Sequence, residues 1–157
     1  MPDTKHMQFD VSQAKKPSIL RRLGALLYDL VLLIAILMLA NAIIVIPYEV
    51  VTGHPLYESF LPLTLMRLYL LAVIAGFYVY FWTHGGQTLG MRAWRIRVIG
   101  NDGGSIGAAT AFKRFLWSIV SFVPAGLGLW LSLFNRDGLA LHDRRSSTRV
   151  VMIPKTA

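Results

Sequence analysis

The chain has 157 residues, 55% of them hydrophobic and only 15% charged, with a mean hydropathy of +0.53 and a net charge of +8. A soluble domain carries about 25% charged residues, so this composition points to one membrane-embedded domain. No cysteine is present, which excludes disulfides, iron–sulfur clusters and thiolate metal sites. The basic residues flank apolar runs, a pattern that fits membrane topology and contact with anionic lipid rather than nucleic-acid binding.

In chain order, residues 1–18 are polar and read as a flexible cytoplasmic tail, ahead of a membrane domain over 19–153. The apolar run that follows is too long for the core of a signal peptide and has no A-x-A cleavage site, so it reads as an uncleaved span. Leu23–Ile46 is apolar apart from Asp29 and Asn41. At about 1.5 Å per residue it can cross a hydrocarbon core of about 30 Å. Pro47 is expected to close it. The loop to Phe60 is acidic, with Glu49 and Glu58 and no Lys or Arg. Leu63–Trp82 is a second span, started near Pro62 and ending in FYVYFW, whose Tyr and Trp residues suit the membrane interface. Arg67 is expected to snorkel outward toward Glu49, and Asn41 to hydrogen-bond across the helices.

Thr83 to Arg114 is polar and basic. WRIRVIG alternates with period two, a strand signal, and TRVVM is a second. Short cytoplasmic strands are therefore expected at 94–99 and 148–152. NDGG is a turn, with Ser105 as cap of the following helix. The last apolar block, 115–134, carries Pro124, Gly126 and Gly128 at its middle.

The positive-inside rule places the N-terminal tail and the 83–114 segment in the cytoplasm. One more straight crossing would leave the basic C-terminal tail outside. Either block 115–134 is broken or re-entrant and returns the tail to the cytoplasm, or it crosses once and the rule fails there. The preferred fold is an all-α membrane protein with two clear transmembrane helices, a third broken or re-entrant apolar segment, and the two short strands. No internal repeat of the kind that marks many transporters is apparent in the sequence.

Asp29 is the anomaly in the first span, because an ionised carboxylate in hydrocarbon costs a few kcal/mol or more. Arg22, Ala25 and Asp29 share one helical face, and Gly24 and Ala25 permit close approach by another helix or loop. Arg22, Asp29, Arg114 and Asp143 are expected to gather in a charged cluster at the inner membrane boundary. Its role is either transport or the pinning together of spans and tail. GGQTLG offers backbone N–H groups for an anion, so Gly86, Thr88, Gly90 and Arg92 are candidate anion or lipid contacts, against the plainer reading of a tight exit into a strand. The four histidines lack metal-ligand spacing. No metal, no cofactor and no enzymatic constellation is expected.

The motif R-x-x-A-x-x-x-D at Arg22, Ala25 and Asp29 is followed by GGQTLGMRAWRIRV at 85–98. Arg114 then stands at a basic helix start, and LHDRRSSTRVV carries Asp143 between His142 and Thr148. In that order these blocks resemble the RDD family of small bacterial membrane proteins, over residues 20–152. Many members have Gly-Lys after the threonine, whereas here Gly90-Met91-Arg92 sets the basic residue one position later. The resemblance implies a multi-pass protein of the bacterial inner membrane, and the positive-inside rule sets its N-terminus in the cytoplasm. For some members cation/proton exchange or other transport has been proposed. The expectation is a transport-type protein, with cation/proton exchange at the charged cluster. The alternative is a non-catalytic membrane subunit or scaffold that binds a partner or anionic lipid through its basic face. The expected partners are the bilayer and a homo-oligomer or membrane partner protein.

Overall fold

The structure, a computed structural model, describes residues 15–122 and 139–153. It is mainly helical: α1 is Ile19–Thr52, α2 Phe60–Thr83, α3 Leu89–Ala93, α4 Ala108–Phe122 and α5 Leu141–Arg145. Two strands complete it, β1 Ile96–Gly100 and β2 Thr148–Met152. Two compact units result. One is Leu30–Phe77, and the other combines the head of α1 with the chain from Tyr78 onward.

In the Leu30–Phe77 unit, α1 and α2 are the two helices long and apolar enough to cross a membrane. Both are apolar on all sides, which is the pattern of a core helix or a membrane span. A core is excluded, because Val31, Ile34, Met38, Leu39, Val50, Leu65 and Leu68 are exposed. The helix α1 does not close at Pro47 but runs through it to Thr52. A single proline is tolerated in a membrane helix because neighbouring groups can satisfy the one backbone carbonyl it frees. Pro62 falls in the first turn of α2, where the missing N–H has no intrahelical partner to lose. Leu56–Glu58 forms a 3-10 turn between the two helices. Tyr57 donates its hydroxyl to Asn41 Oδ1, so Asn41 bonds to the connecting turn. Glu49 Oε1 accepts from the Leu56 N–H at 3.3 Å, and among the described residues it forms no ion pair with Arg67.

The other unit is built on a repeat. In each copy an extended residue (Thr88 or Ala140) opens a five-residue helix, and a residue at left-handed φ (Arg95 at 54°, Ser147 at 52°) turns the chain into a five-residue strand. Leu141 and Thr148 each stand 52 positions after their counterparts Leu89 and Ile96. The strands pair antiparallel with Val98 opposite Val150 at the centre, so the two copies are related by an approximate twofold axis through that pair. Strand β1 starts two residues later than the sequence pattern predicts, because Trp94 is spent as the C-cap of α3 and Arg95 makes the left-handed turn. Asp102–Gly104 then carry the predicted turn, closed by Gly100 N–H to the Gly104 carbonyl at 2.8 Å.

Because β1 pairs with β2, the segments carrying them lie on one side of any membrane the chain spans. The Met152 N–H donates to the Lys15 carbonyl at 3.0 Å, which ties the approach to α1 to the same sheet. Ser105 does not cap α4, which starts at Ala108 and so contains Lys113 and Arg114. Its exposed residues include the apolar Phe112, Leu116, Ile119 and Val120 and the charged Lys113, while Arg114 and Ser121 are buried beside Ala111 and Phe115. The expected break at Pro124–Gly128 lies outside the described residues, as does most of the polar tail at 1–18.

Candidate functional site

Arg22, Ala25 and Asp29 do share one face of α1, and all three are buried, at 6%, 2% and 2% exposure. What meets that face is the repeat unit. Gly24 lies under the indole of Trp94, and Gly90 lies against the Ala25 carbonyl and the Asp29 carboxylate. A Cβ on either glycine would collide with those atoms. Helix α3 therefore sits on α1 only because two side chains are missing at the contact.

The charged residues separate into two groups. Asp143 Oδ2 accepts from Arg22 Nη1 at 2.8 Å, and Asp143 Oδ1 lies 2.6 Å from Arg114 Nη1. Asp143 is the shared anion between an arginine on α1 and one on α4, and it is fully buried. It also accepts the Ala140 N–H at 3.0 Å, at the start of its own helix. Burial alone would lift its carboxyl, but the Arg114 and Arg22 charges outweigh burial and hold it far below the usual carboxylate range. Arg114 Nη1 also donates to Thr148 Oγ1, and Ser146 Oγ lies 2.8 Å from that hydroxyl, so β2 is bound into the same network.

Asp29 is held differently. Its Oδ2 accepts from Thr88 Oγ1 and its Oδ1 from the Gly90 N–H at 2.8 Å. Thr88 Oγ1 in turn accepts the Met91 N–H, so one hydroxyl both caps α3 and grips the carboxylate. Both donors to Asp29 are neutral. Among the described residues, no Lys, Arg or His nitrogen forms an ion pair with it. Within the GGQTLG segment, Thr88 and Gly90 thus donate to the chain's own Asp29 carboxyl group. Gly86 takes no part in that grip. It stands at φ 71° and its carbonyl accepts the Val98 N–H, which turns the chain into β1. Arg92 is exposed.

A cavity of about 70 Å³ lies between these two groups, lined by Arg22, Asp29, Tyr78, Trp82, Arg114 and His142 together with apolar side chains. Trp82 was expected as an interfacial anchor but is buried, with the Arg114 guanidinium carbon 5.0 Å over its ring. Tyr78 packs beside it at 5.1 Å between ring centroids. His142 is the second residue sequence reasoning set aside. Its Nε2 is 3.7 Å from Asp143 Oδ1. Burial, reinforced by Arg114, pushes its pKa down to about 4, so the ring is neutral at physiological pH and the contact is not an ion pair. The signal for Tyr78 and Trp82 was their spacing of four on α2, which puts both rings on one face.

Two long apolar helices exposed on their outer sides, joined to a small sheet unit that buries an ion network, define a helical membrane-type protein. The RDD family profile matches residues 16–147, and the chain belongs to this family of small membrane proteins. No curated protein and no solved structure matches it.

Proposed function

We propose that the protein is a proton-coupled transporter of the bacterial inner membrane, with Asp29 as the group that takes up and releases the proton. One observation carries this reading: Asp29 is a buried carboxylate on a membrane helix, lines a cavity and has only neutral hydrogen-bond partners. A carboxylate locked between two guanidinium groups, as Asp143 is, stays ionised and can only brace the fold. A carboxylate beside a cavity with neutral donors is free to change its protonation state, and ionisable groups within membrane spans commonly mark ion and proton pathways. The cluster expected from sequence thus divides by role: Arg22, Arg114 and Asp143 hold α1, α4, α5 and β2 together, and Asp29 works. The apolar side chains that make up most of the cavity lining offer few oxygen ligands for a metal cation, so proton coupling is the part of the exchange reading we retain.

The N-terminus and the strand pair lie in the cytoplasm in this account. The pairing of β1 with β2 supports a third apolar segment that returns to the side it left. A pathway through so few spans calls for a homo-oligomer. No chemical transformation of a substrate is assigned to the protein.

A non-catalytic membrane subunit is the second reading, favoured by the exposure of Arg92, Arg95, Lys113, Arg144 and Arg145. Anionic headgroups or an acidic partner would meet such a face. The test is flux in proteoliposomes under an imposed proton gradient, followed with an internal pH dye, with wild type and Asp29→Asn at equal incorporation. Salt-dependent collapse of the gradient by wild type alone supports the transporter. No collapse by folded wild type, with loss of vesicle or partner binding when Arg92 and Arg95 are neutralised, supports the subunit.

A further inference from the structure

Two residues that line the cavity beside Asp29 carry donors that no protein atom satisfies. Trp82 Nε1 and Arg114 Nε are both buried without a hydrogen-bond partner. Both residues line the cavity, and their side chains are only 7% and 3% exposed. Buried donors in native structures nearly always have an acceptor, so an unpaired pair beside an open volume points to an acceptor that the chain itself does not supply. A single water needs on the order of 10–15 Å³ of such volume. The cavity, at about 70 Å³, has room for more than one water or for a small polyatomic ion.

Charge decides which ion. Two arginines share one aspartate in the Arg22–Asp143–Arg114 network, which leaves one positive charge in excess. Ionised Asp29 cancels that excess, and protonated Asp29 exposes it. The other titratable groups lining the cavity are Tyr78 from α2 and His142 from α5. The phenol is neutral across the working pH range, and burial keeps His142 uncharged. A metal cation is poorly served here, because hard cations need several oxygen ligands and the remaining walls are apolar side chains such as Ala25, Leu26, Met91 and Ile96.

We propose that this cavity is a binding site for a small monovalent anion, held by Trp82 Nε1 and Arg114 Nε, and that the anion enters together with a proton on Asp29. The inference rests on the transport reading of Asp29 and names the co-substrate class of that same site. A proton and an anion that bind as a pair add no net charge to the buried site. Each promotes the binding of the other, and by linkage the two effects are equal in size.

The test uses the full chain in lipid nanodiscs and nitrate as the probe, with gluconate as the bulky control anion and sodium, potassium and choline as counter-cations. Calorimetric titration at acidic and at alkaline pH, in buffers of different ionisation enthalpy, reads affinity and proton uptake together. The expected result is saturable nitrate binding that is tighter in acid, indifferent to the cation and accompanied by proton uptake. Trp82→Phe keeps the ring over Arg114 but removes the donor, and should weaken nitrate about tenfold or more, the usual effect of losing a hydrogen bond to a charged group. Asp29→Asn should bind at both pH values with no proton uptake. If Trp82→Phe does not fold, the indole N–H resonance of Trp82 in tryptophan-labelled wild type should shift saturably with nitrate.

Absence of saturable nitrate binding to folded wild type would mean that water alone occupies the cavity, and would overturn the proposal. So would nitrate binding that Trp82→Phe leaves unchanged. Nitrate binding with these signatures but without flux in vesicles would sink the transport reading and leave the site standing. Asp29-dependent flux that ignores the anion would do the reverse.

Discussion

The hydroxyl of Thr88 donates to the Asp29 carboxylate across 59 positions of sequence, while the same oxygen accepts the Met91 N–H. This contact joins the first membrane helix to the first of the two repeated helix–strand units. It also explains how a carboxylate is tolerated on an apolar helix: its two oxygens are satisfied by a hydroxyl and a backbone amide rather than by water.

Thr88→Val removes both hydrogen bonds at nearly constant volume. The change should cost about 1–3 kcal/mol, because it leaves one oxygen of a buried carboxylate without a donor. Thr88→Ser should recover most of the loss. Thermal denaturation in detergent, read by circular dichroism, gives the order wild type, Ser, Val.

Gly90→Ala forces a methyl into the Ala25 carbonyl and the Asp29 carboxylate. Overpacking of this kind costs about 1–3 kcal/mol. The control is Gly76→Ala on α2, where an added Cβ meets nothing within 4 Å. Alanine is the better helix former by about 1 kcal/mol, so that variant should be neutral or stabilised. Equal destabilisation of the two would contradict the close approach of α3 to α1.

Asp143→Ala leaves two buried guanidinium groups without their shared anion. Breaking a buried ion pair from one side costs about 3–5 kcal/mol, so this variant should fail to accumulate as folded protein. Adding Arg22→Met and Arg114→Met to it should restore part of the loss. A triple variant no more stable than Asp143→Ala would show that the network does not act as a unit.

His142 gives a pH signature. Its pKa is lowered by burial from 6.5 to about 4, so the unfolded chain binds the proton more readily than the folded one. Stability is therefore full above about pH 6.5 and falls as pH drops from there toward 4. His142→Gln should flatten that part of the stability profile and leave the loss below it, where Asp143 begins to be protonated on unfolding. A profile unchanged by His142→Gln would mean that the imidazole is not held neutral.

The features legible in the sequence were those set by local periodicity. Arg22, Ala25 and Asp29 fall on one helical face whatever they meet, and the alternation in WRIRVIG and TRVVM marks strands that do pair. Charge and hydropathy located both long helices. Pro47 misled because propensity in water ends a helix there, whereas α1 continues through it. The two-copy unit was hidden because its symmetry lives in backbone geometry. Only Leu89, Arg92, Arg97 and Val98 find identical residues at Leu141, Arg144, Arg149 and Val150, too few to stand out. The partners of Asp29 were hidden for a different reason. A carboxylate among leucines suggests a cation, and nothing in sequence spacing says that a threonine and a glycine amide 59 and 61 positions away will serve instead.

The central claim is that Asp29, unlike Asp143, changes its protonation state. Infrared difference spectroscopy of the full chain in lipid reads this directly, through the carbonyl stretch that a protonated carboxyl shows and a carboxylate lacks. The account predicts, among the bands that appear reversibly on acidification, one that is missing in Asp29→Asn, while Asp143 stays ionised. A spectrum in which Asp29 remains ionised across the range where the protein is folded would contradict it, and would leave Asp29 as a structural clamp on α3.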